Sequence, residues 1–271
     1  LILDETNLDK EDLKIAYCPE RVLPGNILEE LVCNDRVVGG INNKSSLASK
    51  SFYQTFCKGK IHITNSETAE MVKLSENAYR DINIAYANEL SMICSSSSIN
   101  VNELISLANK HPRVNILNPG CGVGGHCIAV DPWFIASAEP NKTDLIQAAR
   151  LVNEKKALWV INELRKKVNI MEKQYNKKIS IGCFGLTFKP NIDDLRESPS
   201  LKIVSSLIEQ GETVFVCEPN ITNHPKIKLY NYEEVINYSD ILVFLVAHSE
   251  FNNMNTKGRY VMNLCGLNLK Q

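Results

Sequence analysis

The run Asn118-Pro119-Gly120-Cys121-Gly122-Val123-Gly124-Gly125-His126-Cys127 is the densest chemical signal in the sequence. Its four glycines let backbone approach a ligand closely. The run presents a thiol, Cys127, with a carboxylate, Asp131, four residues on. A cysteine in such surroundings suits covalent nucleophilic catalysis; the alternative is a buried structural thiol, the expected state of most of the other eight cysteines. Residues 120–125 also match the letters of the dinucleotide fingerprint G-x-G-x-x-G. That pattern works where a strand precedes it and a helix starts at once, offering its N-terminus to a pyrophosphate. Here Pro132 is expected to interrupt any such helix, only the short stretch 114–117 precedes the glycines, and no clean acidic position follows, so the nucleotide reading is disfavoured.

Two further groups carry chemistry. Lys73, Asn77, Arg80 and Asp81 stand at offsets of zero, four, seven and eight, which is one face of a helix. A lysine there would polarise a hydroxyl or bind a phosphate and Asn77 would orient a water; the alternative is ion pairing with Glu70, Glu76 or Asp81. The segment 188–198 is a charged turn entering a helix, and its Lys189 and Arg196 suit phosphates if it lies at a strand end of an open α/β sheet. The alternative there is a capped loop of mutual salt bridges.

These groups need elements to hold them. Residues 1–64 read as the tail of an α/β domain, with strands near 14–17 and 36–38, a turn-rich segment at 18–26 and a helix near 45–56. Thr64 and Glu67 fit a capping box, followed by about thirty residues without Pro or Gly up to Ser97. Met71, Leu74, Ala78, Ile82 and Ala85 recur at helical spacing, and Val72, Tyr79, Tyr86 and Ile93 widen the stripe, so one long helix buried over much of its girth is expected. At ~1.5 Å per residue it runs nearly 50 Å, enough to link two domains and to pack against a second copy of itself. Helices are expected over 102–110 and 143–171, the latter ending in a solvated lysine-rich stretch. From 178 the period changes: strands at 179–184, 213–217, 241–246 and 260–263 alternate with helices at 198–210 and 233–237, the mark of a doubly wound parallel sheet. Ser198 as cap, Pro199 at the first turn and Gly211 past the end fit the termini of the helix at 198–210.

Composition bounds the function. The 271 residues carry 30 basic and 31 acidic side chains, a net charge of −1, which removes the electrostatic case for nucleic-acid or membrane-surface binding. The longest clean apolar run, Ile241 to Ala247, is far short of the ~20 residues of a membrane span. Nine cysteines without a C-x-x-C pair fit a reduced, cytoplasmic chain, and with the five histidines they form no zinc-ligand spacing, so no metal is expected. The opening at Leu1, in what reads as mid-domain sequence, suggests a truncated start.

Taken together, AYCPERVLPGN (16–26), EMVKLSENAYRDINIAYANEL (70–90), HPRVNILNPGCGVGGHCIAVDPWFI (111–135) and FGLTFKPNIDDLRESPS (184–200) resemble the UDP-glucose/GDP-mannose dehydrogenase family. The resemblance covers nearly the whole chain in the family's order. It implies three parts: the C-terminal part of an NAD-binding Rossmann-like domain (1–65), most of which is missing; a central long-helix dimerisation domain with the cysteine loop (66–172); and a C-terminal Rossmann-like UDP-sugar-binding domain (173–271). It also implies a homodimer that oxidises a sugar C6 alcohol to a carboxylate in two hydride transfers to NAD, the aldehyde being held as a thiohemiacetal and then a thioester on Cys127. The motif positions make Lys73 the oxyanion-stabilising cation, Asn77 and Asp131 the water-orienting and proton-relay groups, and Glu20 the carboxylate that assists thioester hydrolysis. Substrate contacts carry over to Arg21, Val22, Arg80, His111, Arg113, Gly124, Lys189 and Arg259, with His111 and Arg113 reaching a partner's site; Arg196 resembles an arginine that approaches NAD. Residues 128–134 and the His111–Arg113 pair favour UDP-N-acetyl-D-mannosamine, with UDP-N-acetylglucosamine, UDP-glucose or a non-catalytic binding and dimerisation module as alternatives. One departure is Cys121, where the family usually has Pro; it places a second thiol six residues from Cys127, a pair that oxidation would join.

Overall fold

In the computed structural model, Glu5, Asp9 and residues 11–22 and 26–270 are described. Positions 23–25 of the expected turn-rich segment lie outside them. The chain divides into two compact units, residues 1–77 and 78–271.

Among the described residues, the first unit holds a three-stranded sheet whose strands are joined by two helices. Strand β1 (Ala16–Tyr17) pairs antiparallel with β2 (Arg36–Gly40), which pairs in parallel with β3 (Ile61–Asn65). Helices α1 (Ile27–Cys33) and α2 (Asn43–Tyr53) fill the connections, and Asn42 caps α2 by accepting from the Ser45 amide at 2.8 Å. The sequence reading gave no strand at 61–65, and the cap it placed on Thr64 belongs to Asn65. Thr64 is the penultimate residue of β3, whereas the Asn65 side chain accepts from the Thr68 amide at 2.7 Å and starts α3 (Ser66–Ser96).

Helix α3 has the expected length but a narrower buried face. Ala78, Ala85, Ala87 and Cys94 are buried together with the polar Asp81 and Asn88, while Tyr79, Tyr86 and Ile93 are more than half exposed. The three exposed side chains repeat every seven residues, so they form a surface stripe of their own. After α4 (Val101–Ala108) comes an irregular stretch to α5 (Asp131–Ala138), then α6 (Asp144–Tyr175). Pro132 does not break a helix; it sits in the first turn of α5, where its missing N–H costs nothing.

Four strands, β4 (Ser180–Phe184), β5 (Thr213–Cys217), β6 (Ile241–Phe244) and β7 (Tyr260–Asn263), make an all-parallel sheet in the order β5-β4-β6-β7. Helix α6 and α7 (Pro199–Glu209) contribute Val160, Leu164, Val168, Ile203 and Leu207 to a core that includes Ile181, Cys183, Ile241 and Val243. A second cluster joins Leu242, Phe184 and Phe244 to Val235 and Ile236 of α8 (Tyr232–Tyr238), with the Phe184 and Phe244 rings stacked at 4.5 Å. This is the doubly wound sheet that the change of period indicated. Ser198 caps α7 with Pro199 in its first turn, and Gly211 follows at φ +82°. The chain leaves β4 toward β5 on one side and returns to β6 on the other, so the crevice where such sheets take ligands lies above the β4 and β6 carboxyl ends.

Candidate active site

In the first unit, one turn of α3 faces the loop after β1. The Lys73 Nζ donates to the Glu20 carbonyl at 2.8 Å, and the Arg21 guanidinium meets the Glu76 carboxylate at 2.6 Å. The Glu20 carboxylate accepts from the Arg21 amide at 2.9 Å and lies 3.9 Å from Arg36, a buried arginine whose guanidinium covers the Tyr53 ring. The structure therefore gathers Glu20, Arg21 and Lys73, with Val22 next in the chain and Asn77 buried one turn along the helix. Ammonium carries three donors, so the Glu20 carbonyl leaves two for a substrate oxygen.

In the second unit, the glycine run 120–125 is irregular backbone with no strand immediately before it, and α5 starts only at Asp131, which removes the dinucleotide geometry. Its glycines meet protein instead. Gly122 adopts φ +136°, and a Cβ there would stand 2.8 Å from the Asn153 carbonyl; at Gly124 it would meet the Glu197 carbonyl at 2.6 Å and Phe188 Cβ at 2.7 Å. The Gly125 amide donates to the Arg196 carbonyl at 3.0 Å. The run ends in a turn in which the Cys127 carbonyl accepts from the Val130 and Asp131 amides, so the half-buried thiol and Asp131 share one turn leading into α5.

The other end of the run hangs from a buried polar chain. The Asn88 Oδ1 accepts from the Gly120 amide at 2.8 Å, while its amide donates to Asn153 Oδ1 at 2.9 Å. Asn153 in turn donates to Asp81 Oδ1 at 2.8 Å, where Arg150 also donates at 2.7 Å. Burial pushes the Asp81 carboxyl above its ordinary range, against the pull of Arg150 and Asn153. Asp81 thus pairs with a residue of α6 rather than with its own helix, and Arg80 beside it is exposed.

Arg196 clamps Asp194 through Nε and Nη2 at 3.0 and 2.6 Å, and the bond holds the Asp194 carboxyl below its usual range. Asp194 holds the Arg196 proton more tightly, through its hydrogen bond and its charge. The second unit therefore gathers Gly124, Cys127, Asp131 and Arg196, with Lys189 on the same loop as Arg196. A cavity of about 680 Å³ adjoins them, lined by His126, Val130, Trp133, Arg150, Pro199 and Lys202. A second cavity of about 510 Å³, walled by Ser91, Lys156, Trp159 and Tyr260, includes no residue of 120–130.

Other expected site residues stand apart. His111 and Arg113 are exposed after α4, and Arg259 precedes β7 at the amino end of the sheet, opposite the crevice. Cys121 is buried in the core, its thiol donating to the Leu245 carbonyl at 3.5 Å and pushed up to about 12 by burial, far from the thiolate that disulfide exchange needs. Among the described residues no group of three His, Cys, Asp or Glu would hold a metal ion, and no helix is long and apolar enough to cross a membrane. The sequence reading missed Asn88, Arg150 and Asn153. Asn88 had a signal: it lies eleven residues after Asn77 and seven after Asp81, on the same helix face.

Comparison with known proteins identifies the family. Residues 1–57, 67–155 and 182–264 match, respectively, the NAD binding, central and UDP binding domains of the UDP-glucose/GDP-mannose dehydrogenase family. The chain is 50% identical over 272 residues to the UDP-N-acetyl-D-mannosamine dehydrogenase of Escherichia coli K12, covering 96% of this chain and 64% of that protein. It is 49% identical over 267 residues to an NDP-N-acetyl-D-galactosaminuronic acid dehydrogenase of Ralstonia nicotianae, covering 96% and 62%. The structure of the UDP-N-acetyl-mannosamine dehydrogenase from Staphylococcus aureus superposes with a TM-score of 0.85 at 37% identity, covering 98% of this chain and 63% of that one. The chain spans just under two thirds of the length of these relatives.

Proposed function

Because the chain belongs to the UDP-glucose/GDP-mannose dehydrogenase family, we propose that it is the larger part of an NAD-dependent enzyme that oxidises UDP-N-acetyl-D-mannosamine to its uronate. The observation that carries this reading is Cys127, held half-buried at the end of a pinned glycine loop whose Gly125 amide is bonded to the Arg196 carbonyl. An alcohol gives up one hydride and one proton to become an aldehyde, but an aldehyde has no hydride to yield until a nucleophile makes its carbon tetrahedral. The Cys127 thiolate adds to that carbon, and loss of the C6 hydrogen as hydride leaves a thioester. Water attacks the thioester, releasing the carboxylate and restoring the thiol.

The chain's own groups divide the remaining work. Lys73 offers its two remaining donors to the developing oxyanion, a service worth about two to three orders of magnitude in rate. Asn77 and Asp131 orient water and relay its proton, and Glu20, steadied by Arg21 and Arg36, assists thioester hydrolysis. Lys189, Arg21, Val22, Arg80 and Gly124 contact the nucleotide sugar, with His111 and Arg113 reaching into a partner subunit's site. NAD supplies the hydride acceptor. Arg196 is suited to its pyrophosphate, since Nε and Nη2 are given to Asp194 and Nη1 is left for an anion.

A homodimer is part of the proposal. Tyr79, Tyr86 and Ile93 are 64, 54 and 53% exposed at seven-residue spacing on α3, and Leu151 and Leu158 repeat that spacing, exposed, on α6. Stripes of this kind call for a partner surface.

The test is NADH released per sugar by the full-length protein. Two NADH per UDP-N-acetyl-D-mannosamine is expected, with Cys127→Ser forming no acid while keeping its thermal stability. Undiminished acid formation by Cys127→Ser would exclude the thiol. The near-equal identity to a relative named NDP-N-acetyl-D-galactosaminuronic acid dehydrogenase supports a second reading of the sugar, so UDP-N-acetylgalactosamine is offered in parallel; preference for it would change the substrate and keep the mechanism.

A further inference from the structure

Between β4 and α7 the chain makes the loop that carries both Lys189 and Arg196, and its first half, residues 185–191, has no regular structure. Backbone groups in such a stretch need partners. Two side chains supply them, Glu218 just after β5 and His248 just after β6, and both are fully buried. The Glu218 Oε2 accepts from the Leu186 and Thr187 amides at 2.7 and 3.2 Å. The His248 Nδ1 accepts from the Asn191 amide at 3.0 Å, and Asn220 Nδ2 lies 2.9 Å from the same nitrogen. Between these anchors, Thr187 Oγ1 donates to the Lys189 carbonyl at 2.9 Å, and Asn191 Oδ1 accepts from the Ser249 amide at 2.9 Å.

The directions of these bonds fix the protons. A backbone N–H only donates, so Nδ1 of His248 holds a lone pair toward Asn191 and the ring proton is on Nε2. Nε2 lies 3.1 Å from Glu218 Oε2, so the imidazole donates to a carboxylate already accepting two amides. Burial works against that charge, and His248 together with the Leu186 and Asn220 amides overcomes it, holding Glu218 below the usual carboxylate range. One polar unit thus ties three consecutive crossovers of the sheet to the backbone on either side of Lys189.

We propose that Glu218 and His248 are a positioning pair for nucleotide-sugar binding. His248 as the neutral Nε2–H tautomer, backed by Glu218, sets the path of residues 186–191 and so delivers Lys189 to the anionic part of the ligand. This rests on the reading that Lys189 contacts the substrate. Neither residue touches the reacting atoms.

Two substitutions divide the functions of the ring. His248→Asn keeps an acceptor near the Nδ1 position and drops the donor to Glu218; His248→Gln keeps a donor near Nε2 and drops the acceptor for Asn191. Amide hydrogen exchange and titration calorimetry with UDP-N-acetyl-D-mannosamine read the two levels separately. In His248→Gln the Asn191 amide should lose protection and affinity should fall about tenfold, as expected for one buried donor left unpaired. His248→Asn should recover most of both, and the alkylation rate of Cys127 should be the same in all three proteins. Equal losses in both variants, or unchanged Asn191 protection in His248→Gln, would overturn the proposal by reducing His248 to packing. If Asn191 protection follows the expected order but the unsubstituted protein binds no UDP-sugar, the positioning of the loop stands and the assignment of Lys189 to that ligand falls.

Discussion

Replacing Gly124 by alanine adds one methyl group at the tightest point of the cysteine loop. An ideal Cβ there lies 2.6 Å from the Glu197 carbonyl oxygen, 2.7 Å from Phe188 Cβ and 2.9 Å from Pro199 Cδ. Two of these three belong to backbone or to a proline ring in the first turn of α7, so no side-chain rotation relieves them. Either the loop or the 185–198 segment must move. Overpacking of this kind costs about 1–3 kcal/mol, and at ~2–4 °C per kcal/mol for a unit of this size the melting temperature should fall by about 2–12 °C. The same displacement carries Cys127, three residues on; a shift of about 1 Å at a reacting group costs on the order of 100-fold in turnover. Gly120→Ala is the internal control, because nothing lies within 4 Å of a Cβ there and its backbone is outside the left-handed region. Calorimetry of both variants, the rate of Cys127 alkylation and NADH release by the full-length protein are the assays. If Gly124→Ala matches Gly120→Ala in all of them, the loop is not clamped against residues 188–199 and the account of how Cys127 is placed fails.

Other groups make equally concrete predictions. Lys156 is buried with its ammonium on Ser91 Oγ at 2.6 Å and over the Trp159 ring, and burial lowers it to about 8. An unfolded lysine titrates near ~10.4, so between about pH 8 and that value the unfolded chain binds the extra proton and stability rises with pH. Lys156→Met should abolish that rise and add about 1 kcal/mol at pH 7, the desolvation cost outweighing the lost hydrogen bond; an unaltered pH slope in urea titrations would refute the assignment. Arg150→Met strands the buried Asp81 carboxylate and should cost about 3–5 kcal/mol. Adding Asp81→Asn should recover much of it, since the amide oxygen still accepts from Asn153, and strict additivity of the two in a double-mutant cycle would show that they do not interact.

How much of this could be read from the residues depended on whether the signal was periodic or single. The sheet of the second unit was legible because apolar strands and capped helices alternate in the chain, and 213–217 and 260–263 coincide with β5 and β7. The turn that holds Cys127 and Asp131 stood out as a candidate because glycine density is rare and local. The helix cap went to Asn65 rather than Thr64 because β3 runs one residue further than the cap pattern assumed, a tertiary pairing with β2 that no local motif encodes. Lys156 sits in a helix whose other lysines are largely solvated, and nothing in its neighbours' identities marks it as buried. Glu218 and His248 each follow an apolar strand as one polar residue, and their partnership depends on β5 and β6 flanking β4, which only the strand order supplies.

The same distinction explains how a glycine-rich loop can hold a thiol in place at all. Glycines leave room for close approach but contribute no side chain to hold position, and each loses more entropy on ordering than any other residue. The order of the 120–127 run therefore has to be imported. At Gly120 it comes from Asn88, itself fixed by Asn153 and the Asp81–Arg150 pair; at Gly125 it comes from the Arg196 carbonyl, on a loop fixed at its start by Glu218 and His248. Both sources are buried polar networks, in which a half-satisfied state is costly. Damage at the Asn88 end should loosen the loop before it unfolds the domain, so Asn88→Ala should speed Cys127 alkylation while leaving the apolar core between α6 and the sheet intact.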